Sequence, residues 1–190
     1  MLLETQPGPA ENRTFPGDRS DHSVPASRYA LYTAEERMRR DSSAWTIVQG
    51  VLAPVQFLIF IVSLGLVLRY LGTGEGAFAA DVSIIVKTVT LYTIMVTGSI
   101  WEKVVFGKWL FAPAFFWEDV FSMLVLALHT AYLVMLLGGY GSTDQRMLVA
   151  LAGYAAYVVN AAQFLWKLRM ARLQGSVPQA AAHGAMAVAR

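Results

Sequence analysis

The chain has no cysteine. Disulfides, Cys-ligated zinc, iron–sulfur clusters and thiolate catalysis are therefore excluded within it. Histidine is scarce, with His22, His129 and His183 the whole supply. His22 and His183 fall in tail segments, so the composition argues against a haem held between two histidines of this chain. Charge is sparse as well: 15% of the 190 residues are Asp, Glu, Lys or Arg, against 56% hydrophobic. That balance is too apolar for an ordinary soluble domain of this length. Short alternating strands are missing too, which argues against an outer-membrane barrel.

What is present is four long apolar runs, about 45–70, 82–101, 113–137 and 147–166. Each meets the roughly 20 residues that a bilayer crossing needs. In lipid the backbone must bond to itself, so the runs read as helices. The expected fold is all-α, an integral membrane four-helix bundle over 29–173 between disordered tails at 1–28 and 174–190. The first tail holds four of the seven prolines and buries too little apolar surface to offset ordering. Thr33 and Glu36 fit a capping box, which predicts a short helix from Ala34.

Arg28, Arg37, Arg39 and Arg40 precede the first span, Lys103 and Lys108 follow the second, and Lys167, Arg169 and Arg172 follow the fourth. This bias predicts an N-in/C-in topology with the 102–112 loop in the cytoplasm. It also accounts for the basic pI, and no compact basic stripe suggests a nucleic-acid partner. Lys87 lies near the outer end of the second span, where a long side chain is expected to snorkel to the interface.

Every span carries one polar stripe. Trp45, Gln49, Gln56, Ser63 and Tyr70 share a face of the first, and Thr88, Tyr92, Met95, Ser99 and Glu102 a face of the second. Glu118, Ser122, Val125 and His129 align on the third, with Asp119 about 100° away. Tyr157, Asn160, Gln163 and Lys167 align on the fourth. Polar groups facing lipid are costly, so the stripes are expected to face inward.

The densest chemistry lies in WEKVVFGKWLFAPAFFWEDV, residues 101–120, which holds three Trp, four Phe, two Glu and one Asp. Glu102 closes the second span, and Glu118 and Asp119 open the third. The hairpin between them lets three carboxyl groups meet at the cytoplasmic mouth. Acids at a helix N-terminus favour its dipole, which accounts for Glu118 and Asp119 but not for Glu102. Aromatic residues gather at membrane interfaces in any case, yet this hairpin has more than a belt needs. A flat, apolar, partly charged ligand entering from the inner leaflet suits such a surface. His129 lies about 15–16 Å deeper, as a hydrogen-bonded core histidine, a proton relay or an axial ligand to a metal-centred tetrapyrrole.

Three runs carry a resemblance: RRDSSAWTIVQGVLAPVQF at 39–57, TIMVTGSIWEKVVFGKWLFAPAFFWEDVFSMLVLALHTAYL at 93–133, and YAAYVVNAAQFLWKLRMARL at 154–173. Over about 29–173 the chain resembles the 3-vinyl bacteriochlorophyllide (chlorophyllide a) hydratase family of bacteriochlorophyll biosynthesis. The resemblance implies a hydro-lyase that adds water to the C3-vinyl group of a chlorophyllide, giving a 1-hydroxyethyl group. It also implies a photosynthetic bacterium's inner membrane, cytoplasmic or intracytoplasmic, and no cofactor beyond the magnesium that the substrate carries. Membrane lipid and other enzymes of the pathway are the expected partners. No catalytic residues follow from the resemblance.

Chemistry supplies the candidates instead. Protonation of the terminal vinyl carbon leaves a cation that the macrocycle delocalises, and water attacks it. The reaction needs an acid, a base for the water, and negative charge near the cation. Glu118 is the expected acid, with Asp119 or Glu102 positioning water and stabilising charge. His129 is a candidate axial ligand to the substrate magnesium. Tyr92, Asn160 and Gln163 are candidates for the ring carbonyls, and Trp101 and Trp117 for the macrocycle faces. Lys103, Lys108 or Lys167 is placed to pair with the free propionate. A non-catalytic tetrapyrrole carrier would use the same aromatics without an acid, and a proton-coupled transporter would use Lys87, Glu118 and His129.

Overall fold

The computed structural model describes residues 31–188, with side chains as far as Met170. The expected 1–28 tail lies outside the described residues. Five helices follow in order: α1 Ala34–Ser42, α2 Ala44–Thr73, α3 Ala77–Phe106, α4 Phe116–Gly138 and α5 Thr143–Val188. Helices α2 to α5 are long and apolar enough to cross a bilayer. The protein is thus an all-α, multi-pass membrane protein, as its apolar runs predict. The backbone of α5 continues past residue 173, where composition had suggested the bundle's limit.

Local sequence explains the ends. Thr33 and Glu36 form the expected capping box: the Glu36 N–H donates to Thr33 Oγ1 at 3.2 Å, and the Thr33 N–H to Glu36 Oε2 at 2.8 Å. Ser43 caps α2 through the Trp45 N–H. Pro54 sits inside α2, which continues through it. Helix α3 extends beyond the expected 82–101 at both ends, because the flanking Ala77–Asp81 and Glu102–Phe106 continue the helix although each carries charge. Helix α4 begins at Phe116 rather than 113. Pro113 instead occupies a tight turn in which the Phe115 N–H donates to Ala112 O at 2.8 Å. Its fixed φ suits the second position of such a turn.

Helices α2 and α3 pack as one hairpin and α4 and α5 as another, meeting through α3–α4 and α2–α5 contacts, while α1 rests on α3. The stripes largely face inward: Gln56, Ser63, Thr88, Glu102, Glu118, Ser122, His129 and Asn160 are all buried. Hydrogen bonds then pin the register. Ser63 bonds Tyr154 at 2.5 Å and Ser83 at 2.8 Å, joining α2 to α5 and α3. Asn160 donates to Ser122 at 2.8 Å, and Gln49 to Thr97 at 2.8 Å. At the far end Asp81 accepts from Tyr132 at 2.5 Å and lies 3.8 Å from Arg146. Each such bond is worth roughly 0.6 kcal/mol inside a bilayer. They choose the pairing of helices more than they supply its stability.

The apolar core has two parts. Phe60, Val67, Ile84, Tyr132, Met147 and Tyr154 fill the half of the bundle distant from the hairpin. Tyr32, Val105 and Phe115, with Trp101 and Phe106 against them, fill the hairpin end. Burial pushes the Tyr32 hydroxyl above its ordinary range, and the Arg40 guanidinium beside its ring opposes that.

Lys87 corrects an expectation. It does not snorkel: its relative exposure is 0%, and its ammonium lies 3.8 Å from the Tyr157 ring centroid and 5.5 Å from that of Phe60. The side chain points into the bundle, where two aromatic faces replace the water it would have reached.

Candidate active site

The mouth of the bundle is organised by the turn between α3 and α4. Gly107 ends α3 in the left-handed region, with its N–H on Lys103 O. Among the described residues, Phe111 is the non-glycine residue at positive φ, 58°. A bulky side chain there costs on the order of 1–2 kcal/mol. That backbone presents two successive amides to two acids: the Phe111 N–H donates to Asp119 Oδ2 at 2.7 Å and the Ala112 N–H to Glu102 Oε2 at 3.2 Å. The carboxyl groups of Glu102 and Asp119 also meet each other. Two carboxyl groups in contact are compatible when a proton lies between them.

Glu118 faces the other way around α4, toward α5. Lys167 donates to Glu118 Oε2 at 2.5 Å and also to Ala114 O. The turn 111–115 therefore ties all three carboxyl groups together, two through its amides and the third through Lys167. The approximate 100° offset of Asp119 from Glu118 is what sends it to Glu102 rather than to the groove described next.

Beside Glu118 runs a groove of about 510 Å³, lined by Glu118, Val158, Val159, Ala162, Gln163, Trp166 and Lys167. It is shallow and open along most of its length, so it would cover one side of a ligand rather than enclose it. Its wall is nearly all apolar and opens outward between α4 and α5, on the face a bilayer would cover. Glu118 is the carboxyl among the three that lines it.

The expected binding residues divide. Gln163 and Lys167 line the groove, and Asn160 is buried one turn away on Ser122. Trp101 does not reach it. Its Nε1 donates to Thr46 at 3.0 Å, and its ring packs with Phe106 and Phe115. Trp117 is 65% exposed and lies outside the lining. Lys103 turns back onto Gly107 O at 2.9 Å. Tyr92 is partly exposed and bonds Thr130 at 2.6 Å, joining α3 to α4. His129 is 1% exposed, with Nδ1 on Val125 O at 2.8 Å. A Cβ added at Gly153 would lie 2.9 Å from its ring. So α5 closes over that face of the imidazole, and no room for a macrocycle exists there. Trp166, Val158, Val159 and Ala162 were missed by sequence reading. The signal available was their spacing with Gln163 and Lys167 along one side of the fourth span.

The comparisons with known proteins bear on this geometry. Residues 32–170 match the family model for 2-vinyl bacteriochlorophyllide hydratase (BCHF). The chain belongs to this family. The 2-vinyl bacteriochlorophyllide hydratase of Rhodobacter capsulatus is 67% identical over 150 residues, 79% of this chain and 87% of that protein. The one of Cereibacter sphaeroides is 65% identical over 157 residues, 83% of this chain and 98% of that protein. No solved structure matches the chain. The matched region of the family takes in every element of the site, from α1 to Lys167.

Proposed function

We propose that the chain adds water across the vinyl group of a bacteriochlorophyllide, giving the 1-hydroxyethyl pigment, and that Glu118 carries the proton. The observation that supports this is one juxtaposition. In a member of a hydratase family, the carboxyl at the hairpin mouth lines an open, largely apolar groove between α4 and α5.

The steps use this chain's own groups. Glu118, in its acid form, gives a proton to the terminal vinyl carbon. The resulting cation is spread over the macrocycle, and the Glu118 carboxylate left beside it offsets the charge. Water attacks the carbon next to the ring, and its surplus proton returns to Glu118. Carbon–hydrogen and carbon–oxygen bonds form, one π bond is lost, and the acid is regenerated. A positioned acid of this kind contributes about 10²–10⁴-fold. Glu102 and Asp119 stand behind Glu118. They hold the turn that anchors Lys167 and keep negative charge near the reacting carbon. Gln163 is placed for a ring carbonyl, and Trp166 for one edge of the macrocycle. His129, Tyr92, Trp101, Trp117 and Lys103 are assigned no contact with the pigment. The chemistry draws on carboxyl groups, water and the pigment's own π-system, without a cofactor.

We place the protein in the bacterial inner or photosynthetic membrane with both termini and the 102–112 loop in the cytoplasm, where water reaches the carboxyl groups. Lysine and arginine bias supports that orientation. The absence of cysteine makes it easy to check. Single cysteines introduced at Lys108 and Ser142 should label from opposite sides, and labelling from one side overturns the topology. The activity is tested by expression in a host lacking the pathway, fed the vinyl pigment. A product heavier by one water is expected. Bound but unchanged pigment would instead favour a carrier.

A further inference from the structure

We propose that Lys167 selects the substrate by its free propionate, and that this carboxylate displaces Glu118 from the ammonium as the pigment docks. The inference rests on the hydratase reading above. A bacteriochlorophyllide, unlike the esterified pigment, bears its propionate as a free acid, so an anion arrives with the apolar ring.

By sequence, Lys103, Lys108 and Lys167 are the candidates for its partner. Lys103 is spent on Gly107 O and lies near the Trp109 ring, 5.9 Å away. Lys108 is absent from the groove lining, and Lys167 is the cation in it. An ammonium has three donors. Two of those on Lys167 go to Glu118 Oε2 and Ala114 O, which leaves one for a ligand in the groove. Exposure also favours Lys167 as the first group met: its side chain is 27% exposed, against 4% for Glu118.

At 2.5 Å from the ammonium, Glu118 is engaged as the counter-ion of Lys167. This resting pair is charge-neutral. A second carboxylate on Lys167 leaves Glu118 without its counter-ion in an apolar groove, where a lone charge is costly. Glu118 then takes up one proton from the buffered solution and becomes the acid that the reaction needs. The charges still balance: the lysine pairs with propionate, and the glutamic acid is neutral. Recognition of the free acid and arming of the catalyst thus become one event. A pigment without the carboxylate leaves the Lys167–Glu118 pair closed.

The experiment compares 2-vinyl bacteriochlorophyllide with its propionate methyl ester, in membranes carrying the wild type, Lys167→Gln or Lys167→Arg. For the wild type, kcat/KM should favour the free acid by at least about 10–100-fold, the worth of a charge-assisted hydrogen bond, and by more where the ester leaves the acid unarmed. Lys167→Gln should bring that ratio to within about 2-fold, and Lys167→Arg should restore most of it. Pigment binding followed by fluorescence gives the same acid-to-ester ratio without turnover, should Lys167→Gln be inactive. Binding of the acid to wild type should also take up about one proton per pigment, and binding of the ester none, as read with a pH indicator. Equal use of acid and ester by the wild type overturns the inference while leaving the hydratase reading intact, and so does a preference that survives Lys167→Gln. Failure of the wild type to hydrate either pigment overturns the hydratase reading itself.

Discussion

The two polar regions of this bundle are built on opposite plans. At the mouth, every buried carboxylate has a donor: Lys167 for Glu118, the Phe111 amide for Asp119, the Ala112 amide for Glu102. In mid-bundle, the Gln56 amide, Lys87 Nζ and His129 Nε2 have no hydrogen-bond partner among the described residues; beside the groove the same holds for the neutral Asn160 Oδ1 and Gln163 Oε1, so the complete bonding at the mouth is a property of its charged groups. Buried polar groups without partners weaken a fold, whereas a network whose members are all bonded fixes geometry. The contrast separates a region arranged to hold charge in place from one that tolerates polar side chains between aromatic faces. A catalytic acid needs the former.

The largest test of that contrast is Glu118→Gln. It keeps the shape of the side chain and removes its ability to give a proton. Turnover in membranes should fall by about 10²–10⁴-fold at normal expression, the contribution of a positioned acid. Ordinary turnover would move the chemistry to Glu102 and Asp119, or away from the mouth altogether. Next in size is Gly153→Ala, which drives a methyl group to 2.9 Å from the His129 ring. Overpacking of this kind costs roughly 1–3 kcal/mol. The thermal midpoint should drop, and His129→Ala in the same chain should restore much of it with turnover retained. A rescued fold without activity would show that the imidazole takes part in the reaction. The smallest effect is expected from Lys87→Met. Replacing an unpaired buried amine by an apolar chain of similar length is often neutral or stabilising, since the cation–π contact offsets only part of the burial cost. The thermal midpoint should stay or rise, with turnover within about 2-fold of wild type. A loss above tenfold would join mid-bundle to the mouth as one functional unit.

Much of this was readable from residue order. The four spans stand out because a bilayer imposes length and apolarity on each, and the stripes because helical spacing stacks residues on one side. That is why Glu118 and Lys167, far apart in sequence, belong visibly to inward faces that meet. The meeting of Glu102 with Asp119 followed from a short hairpin between a helix end and a helix start. What spacing does not convey is how helices lean on each other. Lys87 near a helix end reads as a snorkelling side chain, because the Tyr157 ring that receives it comes from another hairpin. His129 reads as open to a ligand until Gly153 is seen to bring α5 against it. Phe111 gives no warning of its left-handed backbone, since the two acids that its turn meets come from the helices on either side. The groove is a gap left by packing, so although Glu118, Gln163 and Lys167 were legible as candidates, the apolar wall of Val158, Val159, Ala162 and Trp166 was found by structure.

The groove beside Glu118 opens sideways, and this has a practical side. A pigment that arrives and departs through such an opening travels in two dimensions, within the leaflet, and its effective concentration is set per unit of bilayer area. Micelles would dilute it and fill the same greasy slot with their own tails. Solubilised preparations should therefore look sluggish for reasons unrelated to the catalyst, and patches of native bilayer are where its speed becomes visible.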